Sequence, residues 1–517
     1  MGQSFPNATV NINSALTPQA PDERSILLTG CMIAGTASTG ALVENLLSEA
    51  DFNNAFGRTS QIAKAGRAMV QALSISRKRP RISAIGLVDN ASGVAATGTI
   101  AFSGTATTAG TIKVYIDSIR NGAYLLDVAV GDTAADLGSI LEAAIIINSD
   151  SPVSAVDTSG SVALTAVNDG TQGNTIGLKY NIGTVEGTTV TLTAMSSGAT
   201  DPVLTSLFDA VGDKRYTSIV YPAEWGTSTL TTFTEARFNV DNKVIDGVGI
   251  VSKIDTYANL DTSLDALNQK TLAYIPNQIS TSATHKGGAI FESPLVIASY
   301  AAALRELRLT VGANTSSIVT NGQSIGGSFF GGIPYHNTPF SLLSIIETGK
   351  DFSDEEAIEL ESSGGWLLRN NKGNTSIISN EAVTTYKTNE GNPDVTFKYL
   401  NYVDTLSLCR EYIFDNLKAD FSQHILTTGQ LIGGRPMVNA EGFTSRMVSY
   451  YNILSGLNGD NNFVLLRASK AEQTAFRNAI TDSIVITLPT GTITTESIAN
   501  IVTQVRNLIV NLTPTFE

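Results

Sequence analysis

The sequence predicts an α+β multidomain protein: an α/β core domain split by a β-rich insertion, an α+β C-terminal domain, and extended arms at both ends. Three observations predict it. Strand and helix patterns alternate from Ser25 to about Val88, stop, and resume near Asp201. Across residues 91–200 three basic residues (Lys113, Arg120, Lys179) stand against nine acidic ones, and Thr, Gly, Ala and Val dominate. From Asp351 to Phe421 a capped helix, a hairpin and a long amphipathic helix follow one another. A chain of 517 residues also exceeds one ordinary core, so about two to four domains are expected.

Residues 1–22 are polar, contain Pro6, Pro18 and Pro21, and show no helical period. Within them Ala8-Thr9-Val10-Asn11-Ile12-Asn13 alternates as a short strand should. Such a strand has no local partner, so it either stays hydrated as a tail or adds to the sheet of a neighbouring subunit. Ser25 to Gly30 reads as a buried strand. Leu28-Thr29-Gly30-Cys31 has the form of a lipoprotein cleavage box. The apolar run before it is shorter than the roughly 7–15 residues of an export signal, and Asp22-Glu23 sit where positive charge belongs. Leu42 to Phe52 predicts a helix, Phe56 to Ser60 a cap, and Gln61 to Ile75 a second helix. Arg77-Lys78-Arg79-Pro80-Arg81 closes that helix, its cations answering the dipole and Pro80 enforcing the stop. A nucleic-acid patch and a contact with an acidic neighbour are the alternative uses of this cluster.

The insertion, residues 91–200, shows alternating runs at Thr99–Phe102, Thr111–Ile116 and Ser161–Ala166, divided by Gly turns. One helix, Thr133 to Ile147, interrupts them, and a small sandwich is the expected form. Beyond it come a strand at Tyr216–Pro222, a helix at Phe233–Lys243, and a strand at Ile245–Ile250. A short helix at Thr262–Asn268, a strand at Thr271–Pro276 and a helix at Pro294–Leu307 follow. The core domain is therefore read as 23–90 plus 201–350. In the C-terminal part, Ser353 and Glu356 form a capping box with Asp354 and Glu355 in the first turn, and Gly364-Gly365 stops the helix. Trp366-Leu367-Leu368, the turn Asn370–Asn374 and Ile377-Ile378 read as a hairpin, and Val383–Tyr386 as a strand. After Pro393, Tyr399, Tyr402, Val403, Leu406, Cys409, Ile413 and Leu417 recur at helical spacing. Arg467–Ile480 and Glu496–Ile509 are the last helical stretches, and Leu512–Glu517 should be extended.

Composition excludes several functions. Only 15% of residues are charged, against about 25% in an average protein, which suits a surface largely covered by copies of itself or a β-rich capsid-like protein. A net charge of −14 argues against a broad duplex-DNA face. Cys31 and Cys409 are the only cysteines and read as buried thiols in a reducing compartment. No window reaches the roughly 18–20 apolar residues of a membrane helix. His285, His336 and His424 lie in different segments, without a second ligand beside them. His285-Lys286-Gly287-Gly288 lacks the surroundings of a phosphate loop, and Gly326–Gly332, without a Lys, reads as a linker. No active site and no cofactor is expected.

Several marks in order carry a resemblance: the Phe56-Gly57 cap ahead of an Ala/Met-rich helix, then Ile358-Glu359, Gly364-Gly365, Val383-Thr384-Thr385, Asp394 and Arg410. The succession resembles phage contractile-tail sheath proteins of the Mu-like branch. The resemblance implies an outer insertion domain at 91–200, a tube-facing domain at 351–507, and arms at 1–22 and 508–517 that exchange strands between subunits. It places Thr9, Val10, Asn11 and Ile12 in the first arm, and Leu508, Val510 and Leu512 in the second. It implies a basic strip meeting an acidic tube. Residues 401–517 hold eight basic and ten acidic side chains, so only a local strip is expected, with Arg410, Lys418, Arg435 and Arg446 as candidates.

The function it implies is structural. Subunits polymerise helically around the tail tube and contract to drive the tube through the host envelope for genome ejection. The implied partners are copies of the chain, the tube protein, and baseplate and terminator proteins, with no nucleic acid and no membrane. Assembly is expected in the host cytoplasm and residence in the virion. A non-contractile capsid, pilus or adhesin subunit is the rival class, and a glycan hydrolase using an Asp/Glu pair the third.

Overall fold

The computed structural model describes residues 24–454 apart from 75–78, 120–121, 241–242, 315–317, 321–322, 326–334, 345–350, 371–375, 422–423 and 427–435, and also describes 491–492. It is a mixed α/β structure with several sheets.

The first part of the chain forms β1 (Ser25–Met32), β2 (Leu42–Val43), α1 (Glu49–Phe56), α2 (Gln61–Leu73) and β3 (Arg81–Val88). β1 is buried along its whole length because both faces of its sheet are covered. Ile26 and Leu28 point to one face, where they pack with Ile62 and Met69 of α2, and Leu27 and Cys31 point to the other. The helix expected from Leu42 starts only at Glu49. Leu42-Val43 instead pairs antiparallel with β3, Asn45 takes a left-handed φ of 59°, and Ser48 and Asp51 form the capping box that fixes the start. Ser60 caps α2, accepting the Ala63 amide at 3.2 Å.

The next stretch forms β4 (Ala95–Gly104), β5 (Gly110–Ile116), β6 (Tyr124–Val128), α3 (Ala134–Ile147), β7 (Val153–Thr158), β8 (Ser161–Asp169), β9 (Leu178–Asn181) and β10 (Thr188–Ser196). Thr133 and Asp136 make the capping box of α3. The chain then gives β11 (Ser218–Val220), α4 (Ser228–Asn239), β12 (Val248–Asp255), α5 (Tyr257–Asp265), β13 (Leu272–Gln278), β14 (His285–Lys286) and α6 (Pro294–Asn314).

These strands build three sheets. Six form one in the order β13-β12-β11-β1-β3-β2, parallel except for β2. Helices α2 and α6 cover one face, with Leu295, Ile297 and Ala301 in that core. Leu230 of α4 and Leu260 and Leu264 of α5 fill the other. Strands β4 to β10, together with β14, form two antiparallel four-stranded sheets, β10-β4-β8-β7 and β14-β9-β5-β6. A separate core lies between them and α3, containing Ile100, Val114, Leu126, Leu141, Leu164 and Leu192. One strand of the second sheet, β14, comes from outside residues 91–200.

The remainder comprises β15 (Ile318–Thr320), β16 (Gln323–Ile325), β17 (Pro339–Ser344), α7 (Asp354–Ser362), β18 (Leu368–Asn370), β19 (Ser376–Ser379), β20 (Thr388–Asn389) and β21 (Asn392–Pro393). After these come α8 (Leu400–Phe421), β22 (Ile425–Leu426), β23 (Met437–Val438), α9 (Ala440–Leu454) and β24 (Gly491–Thr492). The capping box Ser353–Glu356 and the β18–β19 hairpin are present as expected. Val383–Tyr386 forms no ladder. It is irregular chain, bent at Thr385, with a single bridge from Val383 to Tyr399, and the Thr385 amide donates to the Leu272 carbonyl of β13 at 2.9 Å. The helices expected at 467–480 and 496–509 lie outside the described residues.

Candidate functional site

An open parallel sheet offers a crevice at the carboxyl ends of its strands where the strand order reverses. Here that point lies between β1 and β11. Next to it, the carboxyl ends of β1 and β3 are covered by the chain itself. Asn168, near the end of β8, donates to the Met32 carbonyl at 3.2 Å and to Asp89 Oδ1 at 3.0 Å, and accepts the Gln61 amide at 3.2 Å. The Asp169 amide bonds Asp89 Oδ2 at 3.0 Å. Gln61 opens α2, so the amides at a helix start where a phosphate would sit are met by Asn168 and Ser60. Burial pushes the Asp89 carboxyl up and the Cys31 thiol well up, which leaves Cys31 an inert core group.

Beside this plug, Lys64 of α2 and Asp117, at the end of β5, form an ion pair with both side chains buried. Arg58 grips Asp150 through two bonds of 2.7 and 2.8 Å, and Arg67 approaches the same carboxylate at 3.3 Å. Those guanidinium bonds outweigh partial burial and hold Asp150 below the usual carboxylate range. Thr171 donates its hydroxyl to Asp201 at 2.8 Å, and β14 pairs with β9. The insertion is thus fastened to α2, to the sheet and to the segment before α6.

A second polar cluster fastens α8. Four arginines (Arg24, Arg215, Arg305, Arg410) and four carboxylates (Asp246, Glu306, Asp404, Glu411) meet there, all nearly or fully buried. Arg305 of α6 reaches Asp404 of α8 at 3.2 Å, the Thr217 carbonyl at 2.6 Å and Ser218 Oγ at 2.7 Å. Tyr335 donates to Asp404 at 2.7 Å, and Thr217 and Ser218 donate to Glu306 at 2.7 and 2.5 Å. Arg215 spans Glu411 at 2.7 Å and Ser407 at 2.8 Å, and Ser407 donates to Asp246 at 2.5 Å. Burial would lower the pKa of Arg305, but Asp404 and Glu306 outweigh it and raise it. Burial likewise opposes the charge on Asp246, while Arg215 and Arg410 hold that carboxyl below its ordinary value. Equal numbers of opposite charges, tied chiefly through Arg305–Asp404, Arg305–Glu306 and Arg215–Glu411, make a joint of defined geometry, with Arg24 Nε and Glu306 Oε2 buried in it without a hydrogen-bond partner.

The expected contact residues fare differently. Arg410 is not available to a partner surface. It is buried, and its guanidinium donates to the carbonyls of Phe238 at 3.1 Å, Lys243 at 3.0 Å and Val240. Its position had a readable signal: Val403, Leu406, Arg410, Ile413 and Leu417 share one helical stripe, so Arg410 lies on the apolar face. Arg446 of α9 is exposed but ion-paired with Asp420 and 3.2 Å from Tyr450 Oη. Lys418 sits in the last turn of α8. Arg435, the arm residues Thr9, Val10, Asn11 and Ile12, and Leu508, Val510 and Leu512 lie outside the described residues. Among the described residues no three His, Cys, Asp or Glu side chains converge as a metal site, and no helix is long and apolar enough to cross a membrane. Sequence reasoning missed Asn168, Asp404 and Glu306, whose roles depend on partners distant in the chain.

Comparison with known proteins agrees with the succession of marks in the sequence. The Mu-like prophage FluMu tail sheath protein of Haemophilus influenzae is 26% identical over 449 residues, which covers 83% of this chain and 82% of that protein. The chain is a homologue of a Mu-like tail sheath protein. No family model matches it. A sheath tail protein of Desulfitobacterium hafniense superposes with a TM-score of 0.40 at 12% identity, covering 87% of this chain and 89% of the other. One from Listeria innocua superposes at 0.39 and 14%, covering 85% and 86%.

In this sheath-protein homologue the marks behind the resemblance are structural. Gly364, past the end of α7, has φ of 93°, and a Cβ there would lie 2.7 Å from Thr385 Cα. Thr384 donates its hydroxyl to the Phe397 carbonyl at 2.7 Å. Asp394 accepts from Tyr386 at 2.6 Å and from Thr396. The Trp366 amide donates to Tyr274 of β13 at 2.8 Å. The Trp366 and Thr385 amides stitch the C-terminal part of the chain to β13 at the edge of the six-stranded sheet, Arg410 ties it to the end of α4 and the segment after it, and the other marks fix its own local geometry.

Proposed function

We propose that this chain is a subunit of a contractile phage tail sheath, polymerising helically around a tail tube and contracting by rearrangement of subunits to drive genome ejection. It is a structural protein and not an enzyme. The observation that carries the reading is similarity to a Mu-like tail sheath protein along more than four-fifths of both chains. The two polar joints support it, since a body that transmits force between neighbours needs its parts held in one geometry. In this reading residues 23–90 and 201–350 form the split core, 91–200 the outer domain and 351–507 the tube-facing domain. Residues 1–22 and 508–517 are arms that exchange strands with adjacent copies. Head-to-tail contacts that do not close give an open array. Arms keep it connected while the bodies turn.

The tube-facing strip is narrower than the sequence suggests. With Arg410 committed inside, Lys418, Arg435 and Arg446 remain, and Arg446 already shares its charge with Asp420. Weak, partly neutralised contacts suit a surface that must release the tube. The tube, baseplate and terminator proteins are the proposed partners, the virion is the site of residence, and assembly takes place in the host cytoplasm.

Negative-stain electron microscopy of the purified full chain tests the reading. Hollow striated cylinders, wide enough to hold a tube, are expected. Monodisperse particles under all assembly conditions would overturn it, as would closed shells.

A further inference from the structure

Inside the joint that fastens α8, at the amino ends of β1 and β12, lies a small cavity in which about 10 Å³ is open to the centre of a water-sized sphere. That is the room one water molecule needs, and nothing larger fits. Two guanidinium groups, Arg24 and Arg305, and two carboxylates, Asp246 and Asp404, stand on its wall, so the lining is neutral. Most of these groups are already engaged. Arg305 commits its guanidinium to Asp404, the Thr217 carbonyl and Ser218 Oγ, and Tyr335 donates to the second oxygen of Asp404. Ser407 donates to Asp246 Oδ2 at 2.5 Å and accepts from Arg215 at 2.8 Å. Arg24 and Asp246 are the exceptions. Nε of the one and Oδ1 of the other are buried without a hydrogen-bond partner, on residues only 8% and 3% exposed. The guanidinium groups of Arg215 and Arg410, 3.6 and 4.0 Å from Asp246 Oδ1, stand beyond hydrogen-bond reach of it.

We propose that this cavity is the site of one structural water, which accepts the Arg24 Nε hydrogen and donates to Asp246 Oδ1. The unmatched atoms are one donor and one acceptor, so the ligand must both accept and donate, as water does. An ion of either sign is disfavoured: a cation would meet Arg24 and Arg305, and an anion Asp246 and Asp404. A buried donor or acceptor left unpaired is costly, whereas a bridging water costs little to hold. The water joins the residue before β1 to the segment before β12, beside Asp404 and Ser407 of α8, so the buried charge cluster is wet at its centre. The site is set by the chain's own fold and is independent of what the chain assembles with.

A high-resolution crystal structure of the full-length protein, with a second crystal soaked in rubidium bromide, tests this. One peak of water height is expected within about 3.2 Å of both Arg24 Nε and Asp246 Oδ1, with no anomalous signal from either ion there. A map in which both side chains are well defined and no peak joins them would overturn the proposal. So would a rubidium or bromide signal at the site, which would make the ligand an ion. Oxygen-17 relaxation dispersion gives a second reading in solution, away from any lattice. Arg24→Met takes away the donor and should lower the count of long-lived waters by one, with circular dichroism checking that the variant folds. An unchanged count in the folded variant would also overturn the assignment.

Discussion

Arg305 of α6 and Asp404 of α8 meet inside the protein at 3.2 Å, 99 residues apart in sequence, with Tyr335 donating to the other carboxylate oxygen. One arginine thereby binds the helix covering the parallel sheet to the long helix of the C-terminal part. Removing one member of such a buried pair costs more than the pair contributes, because the partner keeps its charge without water. Asp404→Ala should therefore destabilise the protein by about 3–5 kcal/mol. A urea titration followed by tryptophan fluorescence would show it, since Trp366 packs against Tyr335 with ring centroids 5.9 Å apart and planes tilted by 59°. Arg305→Met combined with Asp404→Leu should recover part of the loss. If Asp404→Ala leaves the midpoint unchanged, the joint is not holding α8.

The Lys64–Asp117 pair predicts a local effect at the root of the insertion. Lys64→Met strands the buried Asp117 carboxylate and should cost about 3–5 kcal/mol. Asp117 has φ of 67°, which Asn tolerates, so Lys64→Met with Asp117→Asn should be milder than Lys64→Met alone. Hydrogen exchange should report faster opening at Asp117, Asn168 and Asp169 in the single variant, with the β12–β13 amides little changed. Uniform loss of protection through the whole sheet would refute a local joint.

Much of the architecture was legible because its causes are local. β1 shows as an apolar run since both its faces are covered, and α7 shows as a capping box since Ser353 and Glu356 satisfy each other. The errors came where distant partners decided. Leu42-Val43 reads as helix until β3 offers an edge, and Val383–Tyr386 as strand until Leu272 and Lys398 take its amides. Charge was the least legible property. Arg410 looks like a surface cation by type, and only its place on the apolar stripe of α8 gives it away. Asn168 carries no local mark, since its three partners lie 79 to 136 residues away.

Gly364 tests the stitch between α7 and the 383–386 segment. Alanine there must adopt φ of 93° and would place its Cβ 2.7 Å from Thr385 Cα. Strain of this kind costs about 1–3 kcal/mol, and backbone displacement adds to it. Gly364→Ala should lower the thermal midpoint and expose the 380–390 segment to proteolysis. Ser362→Ala, on the exposed side of α7, should do neither.

Glu224 supplies a pH dependence whose sign is fixed by its surroundings. The residue follows β11 in a short 3-10 turn, half-buried overall, with Oε1 sealed from solvent and unpartnered. Burial raises its pKa from 4.5 to about 7, its own amide opposes the change, Asp201 adds to it and Lys253 counters it. Tyr274 and Asp169 also lie in this region. A carboxyl raised in the folded state favours folding fully below its unfolded pKa. That contribution is lost as pH rises from about 4.5 to about 7 and stays lost above. Glu224→Gln mimics the protonated form, so its gain in stability should grow across the window, from about 0.5 kcal/mol near pH 5 to about 2 kcal/mol at pH 8, by 1.36 kcal/mol per unit less solvent screening. Asp89, also raised by burial, titrates in the same sense in both proteins and cancels in the difference. Urea midpoints for both proteins across pH 5 to 8 give that difference directly. A constant offset would mean that Glu224 does not titrate in this window, and a gain confined to low pH would reverse the sign argued from its burial.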